Sequence, residues 1–145
     1  MEEQKIYIDV TIVTSIVLPA LMAIVLYMLK TFTLDPLSQY VKAKHKIQNK
    51  LRYHKGHNTS NVDSDLDKER QTTIRELSCE LEEKYGVIFG KRLLVRLGAL
   101  PKKDNIKTAS GNLIRISNSV NDQKISGSCQ EKLYKEIGDI LRIDV

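Results

Sequence analysis

The chain has 145 residues, with 23 Lys and Arg against 18 Asp and Glu and a net charge of +5. That length holds one small domain, or one domain with an appendage. Two Cys, seven Gly and 41% apolar residues exclude a disulfide scaffold, a collagen-like chain and a wholly disordered one.

The charge is unevenly spread. Residues 1–9 carry Glu2, Glu3, Lys5 and Asp9, a net −2, and residues 10–29 carry no charge. Residues 30–56 carry seven Lys and Arg against Asp35, a net +6, and residues 57–145 sum to +1.

Val10 to Leu29 is a run of 20 uncharged residues between Asp9 and Lys30. A helix of that length spans roughly 30 Å, the hydrocarbon thickness of a bilayer. The n-region is acidic and no small-residue cleavage site follows, so the run reads as an uncleaved signal-anchor. Basic residues cluster after it, which places the N-terminus outside and the remainder in the cytoplasm. Cys79 and Cys129 then sit in a reducing compartment, as free thiols packed in the core. Pro19 removes one backbone hydrogen bond mid-span and favours a kink. Thr11, Ser15, Pro19 and Ala23 recur every four residues and form a stripe of small side chains, a self-association face for a homo-oligomer.

Asp35-Pro36 reads as an N-cap with a first-turn proline. Leu37, Tyr40, Val41, Ile47 and Leu51 follow at helical spacings, with Lys42, Lys44, Lys46, Lys50 and Arg52 around them. This predicts a basic amphipathic helix that either lies on the anionic bilayer surface or packs on the soluble domain. A turn-rich loop follows over 55–65. His45, His54 and His57 have no Cys or carboxylate at zinc-ligand spacing, and no metal is expected. Asp63, Asp65 and Asp67 fail the calcium-loop pattern, because Lys68 and Ile74 stand where Gly and Glu are needed.

Ile74, Leu77, Leu81 and Tyr85 define a helix over 67–85 that Gly86 ends. Leu93, Leu94 and Leu97 mark a short helix over 90–98. Asp104 caps a third, with Ile106, Ala109, Leu113, Ile116 and Val120 inward. Asn121, Asp122, Ser126 and Gly127 make a loop. Ser128 with Glu131 is a capping box for a fourth, with Leu133, Ile137, Ile140 and Leu141 inward. No strand pattern occurs.

Catalytic signatures are missing. Gly86 to Lys91 is one residue short of a phosphate loop and continues with Arg92. For Gly127-Ser128-Cys129 no His lies in the domain beyond His57 to serve as base. Lys102, Lys103, Asn105, Asn112 and Arg115, at the start of the third helix and along it, form a candidate anion site for a phosphate-bearing ligand such as an oligonucleotide.

Ile74 to Leu77, Leu97 to Pro101, Asn105-Ile106 and the string Asn112-Leu113-Ile114-Arg115-Ile116-Ser117-Asn118-Ser119-Val120 resemble a group of small bacterial single-pass membrane proteins of uncharacterised function. The likeness covers roughly residues 36–120. It implies a membrane span, a basic helix and a helical cytoplasmic part, and no activity. In layout alone the plan is also similar to type III CRISPR accessory membrane effectors, which bind cyclic oligonucleotides.

The expectation is therefore an all-α, non-enzymatic protein without cofactor. Residues 1–9 form a short outer tail, 10–29 the transmembrane helix, 30–56 the basic helix and 57–145 a four-helix cytoplasmic domain. It acts by self-association or by binding a protein partner. The alternative is an antiviral effector gated by a nucleotide.

Overall fold

A computed structural model describes Thr11 and residues 13–56, 64–119 and 127–145. The N-terminal tail, Val10 and the loop readings at 57–63 and 120–126 lie outside the described residues. Every regular element among the described residues is helical.

The first helix is continuous from Thr14 to Lys55, and its N-terminal part is long and apolar enough to cross a membrane. Within it, α1 is Leu18–Leu29, preceded by a π-helical stretch Val13–Val17 and followed by a second, Lys30–Leu34. Each π-helical stretch ends just before a proline, Pro19 or Pro36. A proline lacks the N–H for the carbonyl four residues back and crowds it. Widening to π geometry is one way a helix absorbs that insult. No residue of α1 is buried in the protein.

From Asp35 the helix changes character. α2 (Asp35–Gly56) is followed by α3 (Ser64–Gly86), α4 (Lys91–Arg96), α5 (Lys103–Ser119) and α6 (Gly127–Leu141). One core joins these helices. It contains Tyr40, Ile47 and Leu51 of α2 with Ile74, Leu77, Leu81 and Tyr85 of α3, and continues through Leu113 and Ile116 of α5 to Ile137 and Leu141 of α6. Each such buried side chain contributes roughly 1.5–3 kcal/mol. The packed body therefore begins at α2, and the basic helix lies against α3 rather than loose on a surface.

The helical spacings select these inward faces well, with three exceptions. Val41 is exposed, and so are Leu93 and Leu97, leaving only Leu94 of that trio packed on the core. Cys79 and Cys129 are exposed free thiols, not core residues. Helix starts also shift. α5 begins at Lys103 and α6 at Gly127, which places Asp104 and Ser128 inside the first turns instead of at the caps.

The α3–α5 contact carries buried hydroxyls. Ser78 Oγ lies 2.6 Å from Ser110 Oγ, and Ser117 Oγ donates to the Gln71 carbonyl at 2.9 Å. Residues 71 and 78, and 110 and 117, are each seven apart, so the antiparallel helices meet at two places two turns apart. Small side chains at both places let the backbones approach closely.

Candidate functional site

The end of α3, the short α4 and the start of α5 build a groove of about 680 Å³. The last turn of α3 supplies Tyr85, α4 supplies Val95 and α5 supplies Ile106 as its apolar floor. Lys91, Arg92, Lys102, Lys103 and Lys107 stand around it, with Glu82 as the one carboxylate. Five cations less one carboxylate leaves +4 on the lining. The volume falls within the roughly 300–1,000 Å³ of small-molecule sites.

Two of the lining groups are fixed by local bonds. Tyr85 Oη donates to the Pro101 carbonyl at 2.9 Å, holding the start of α5 against the end of α3. Lys91 Nζ donates to the Gly86 carbonyl at 2.6 Å and stands 5.7 Å from the Tyr85 ring centroid. A cation there satisfies the carbonyl end of α3. This is what the near-miss phosphate-loop lysine does. Arg92, Lys102, Lys103 and Lys107 make no side-chain hydrogen bond or ion pair among the described residues, so their charge is available to a ligand.

Burial pushes the Tyr85 phenol above its ordinary value. Tyr40 packs edge-on to it, with ring centroids 6.0 Å apart. The Tyr40 phenol is pushed up to about 12, first by burial and then by Tyr85.

The five residues expected to form the anion site do not converge. Lys102 and Lys103 line the groove. Asn105 is exposed and is not part of the lining. Asn112 is buried at 4% exposure, with its side-chain nitrogen lacking a hydrogen-bond partner. Arg115 is exposed and about 18 Å farther along α5 than Lys103. Ser117 and Ser119 are helix-packing groups. Reading one helix missed Lys91 and Arg92, which reach the groove across a turn. The basic doublets Lys91-Arg92, which opens α4, and Lys102-Lys103, at the start of α5, are the signal that marks them.

The basic helix is also partly committed. Lys46 bonds Glu80 of α3 at 2.8 Å. Lys44 donates to the Arg142 carbonyl, Arg52 to the Asp144 carbonyl and Lys55 to the Val145 carbonyl. The segment after α6 thus lies along α2 and occupies its cations. Lys42 and Lys50 make no such bond among the described residues. His54 is buried, and Arg70 Nε donates to its Nδ1 at 3.0 Å. No group of three or more His, Cys, Asp or Glu suited to a metal occurs among the described residues.

The small-residue stripe faces outward. Ser15, Pro19 and Ala23 are exposed, and the Ser15 hydroxyl is bonded to the Thr11 carbonyl of its own helix. Comparison of the chain with protein-family models, with curated proteins and with solved structures finds no match.

Proposed function

We propose that this chain is a single-pass, membrane-anchored binding protein without catalytic activity, whose helical body takes up an anionic, phosphate-bearing ligand. The N-terminus lies outside the inner membrane and the body, with its four helices α3–α6 braced by α2, lies in the cytoplasm. One basic residue before the span, Lys5, against seven in residues 30–56 supports that orientation. The groove carries the ligand reading: four uncommitted cations stand over an apolar floor of nucleotide size. Such a floor takes a base while the cations take phosphates.

One observation favours an effector over a passive receptor. The turn between α3 and α4, which borders the groove, is bonded to the membrane helix: Phe89 N–H donates to the Phe32 carbonyl at 3.1 Å. A ligand that reorders this turn acts on the base of the span. Homo-oligomerisation along Thr11, Ser15, Pro19 and Ala23 is the companion property of the anchor.

The test is a titration of the full chain in zwitterionic nanodiscs with fluorescent linear and cyclic oligoadenylates. Binding that weakens steeply with salt is expected. The Lys102→Gln/Lys103→Gln/Lys107→Gln variant should lose more than about tenfold in affinity, and Arg115→Gln should not. Absence of binding at low salt removes the ligand reading and leaves a self-associating anchor.

A further inference from the structure

The groove has an outer side. Val87, Phe89, Leu93 and Leu97 are 57%, 70%, 62% and 70% exposed. Leu93 of α4 and its C-cap Leu97 are four apart and share one face, and Phe89 and Val87 stand exposed in the turn that leads into α4. The opposite face of α4 is used, since Leu94 and Val95 pack against the core. A short helix that spends Leu94 and Val95 inward while Leu93 and the C-cap Leu97 stand outward has an apolar face left to cover.

Its position says which. Pro36 has no N–H to give the carbonyl four residues back, that of Phe32. Phe89 supplies one instead, at 3.1 Å. Phe32 is three residues past Leu29, the last residue of the uncharged run, about 4.5 Å along the helix. That is the depth of the headgroup and acyl boundary, where interfacial apolar faces sit. Phe32 and Leu34, on the helix itself, are also exposed at 52% and 58%. The patch is thus joined to the base of the span, and α4 also carries the exposed cations Arg92 and Arg96.

We infer that the α3–α4 turn and α4 form a second membrane contact, with Val87, Phe89, Leu93 and Leu97 inserted into the bilayer beside the span. This rests on the membrane reading of residues 10–29. The occupant is lipid, because the patch adjoins the span and the neighbouring charges match anionic headgroups. The contact pins the helical body against the membrane instead of letting it swing about the residues 30–34 that join it to the span.

The chain contains no Trp, so one introduced Trp is an unambiguous reporter. The full chain is reconstituted in phosphatidylcholine and phosphatidylglycerol vesicles with or without brominated acyl chains. Phe89→Trp and Leu97→Trp are compared with Tyr27→Trp, in the span, and Tyr53→Trp, exposed near the far end of α2. Bromolipid should quench Phe89→Trp and Leu97→Trp several-fold more strongly than Tyr53→Trp. A blue shift without bromolipid quenching means a second protein surface covers the patch, and overturns the inference. So does quenching of both patch variants no stronger than that of Tyr53→Trp while Tyr27→Trp is quenched. Failure to quench Tyr27→Trp as well overturns the membrane reading itself.

Discussion

The hydroxyls of Ser78 and Ser110 lie 2.6 Å apart inside the α3–α5 interface, and Ser78 also reaches the Ser110 carbonyl at 3.1 Å. Both residues are at most 3% exposed. Their smallness sets how closely the helices approach, and their mutual bond satisfies groups that water cannot reach. Ser110→Leu overfills this contact and should cost about 1–3 kcal/mol. The double change Ser78→Ala/Ser110→Ala should cost less than the sum of the singles, because it leaves no orphaned partner. Chemical denaturation of the four variants checks this, and strict additivity would sink it.

The core places the start of the folding unit at α2. Tyr40, Ala43, Ile47 and Leu51 are each at most 3% exposed, covered largely by α3. A fragment of residues 35–145 should be helical with a cooperative melt. A fragment of residues 57–145 should not, since the α3 stripe would lose its cover. Far-UV circular dichroism and amide dispersion separate the two outcomes. A cooperative melt of the shorter fragment would refute the prediction.

The stripe of α2 was legible as a stripe, since Tyr40, Ile47 and Leu51 fall at helical spacing. What it covers was not legible, because basic residues serve equally on lipid, solvent or a neighbouring helix. Periodicity likewise finds the inward face of Ile74, Leu77, Leu81 and Tyr85, since all four repeat within one helix. The groove was only half legible. Lys102 and Lys103 stand at the start of α5, while Lys91 and Arg92 enter from α4, joined to it by a turn in which Gly98 has a φ of +74. Such convergence depends on turn geometry that composition does not encode. Leu93 and Leu97 misled for the opposite reason: a six-residue helix has room to bury only one side, and Leu94 and Val95 take it.

Alkaline pH should loosen the α2–α3 join. Tyr40 has its phenol raised to about 12 by burial and by Tyr85, against about 10 in an unfolded chain. The folded state thus holds the proton more tightly. Its contribution to stability is fully present below about pH 10 and is lost as pH rises from there through about 12. Denaturation midpoints should fall over that range, and Tyr40→Phe should flatten the fall. Phenolate absorbance measured in parallel should show a late phase missing from Tyr40→Phe. An unchanged slope in the variant would assign the effect elsewhere.

Two glycines in helices should respond to alanine with opposite signs. Gly111 lies in α5, where a Cβ would meet nothing within 4 Å. Gly111→Ala should stabilise the body by about 0.5–1 kcal/mol, the ordinary helix preference. Gly138 lies in α6, but a Cβ there would stand 2.9 Å from the Ile143 carbonyl oxygen. Ile143 folds back to donate its N–H to the Gly138 carbonyl at 3.0 Å, with Arg142 at a φ of +53. That reversal lays residues 142–145 along α2, where Lys44, Gln48, Arg52 and Lys55 donate to their carbonyls. Gly138→Ala must push the reversal open, since the obstructing atom is backbone and cannot rotate away. It should therefore destabilise the protein and raise the chemical reactivity of Lys44 and Lys55 toward an amine-modifying reagent, with Lys42 and Lys50 unchanged. Stabilisation equal to that of Gly111→Ala, with no change in lysine reactivity, would show that the segment after α6 is not held by this turn.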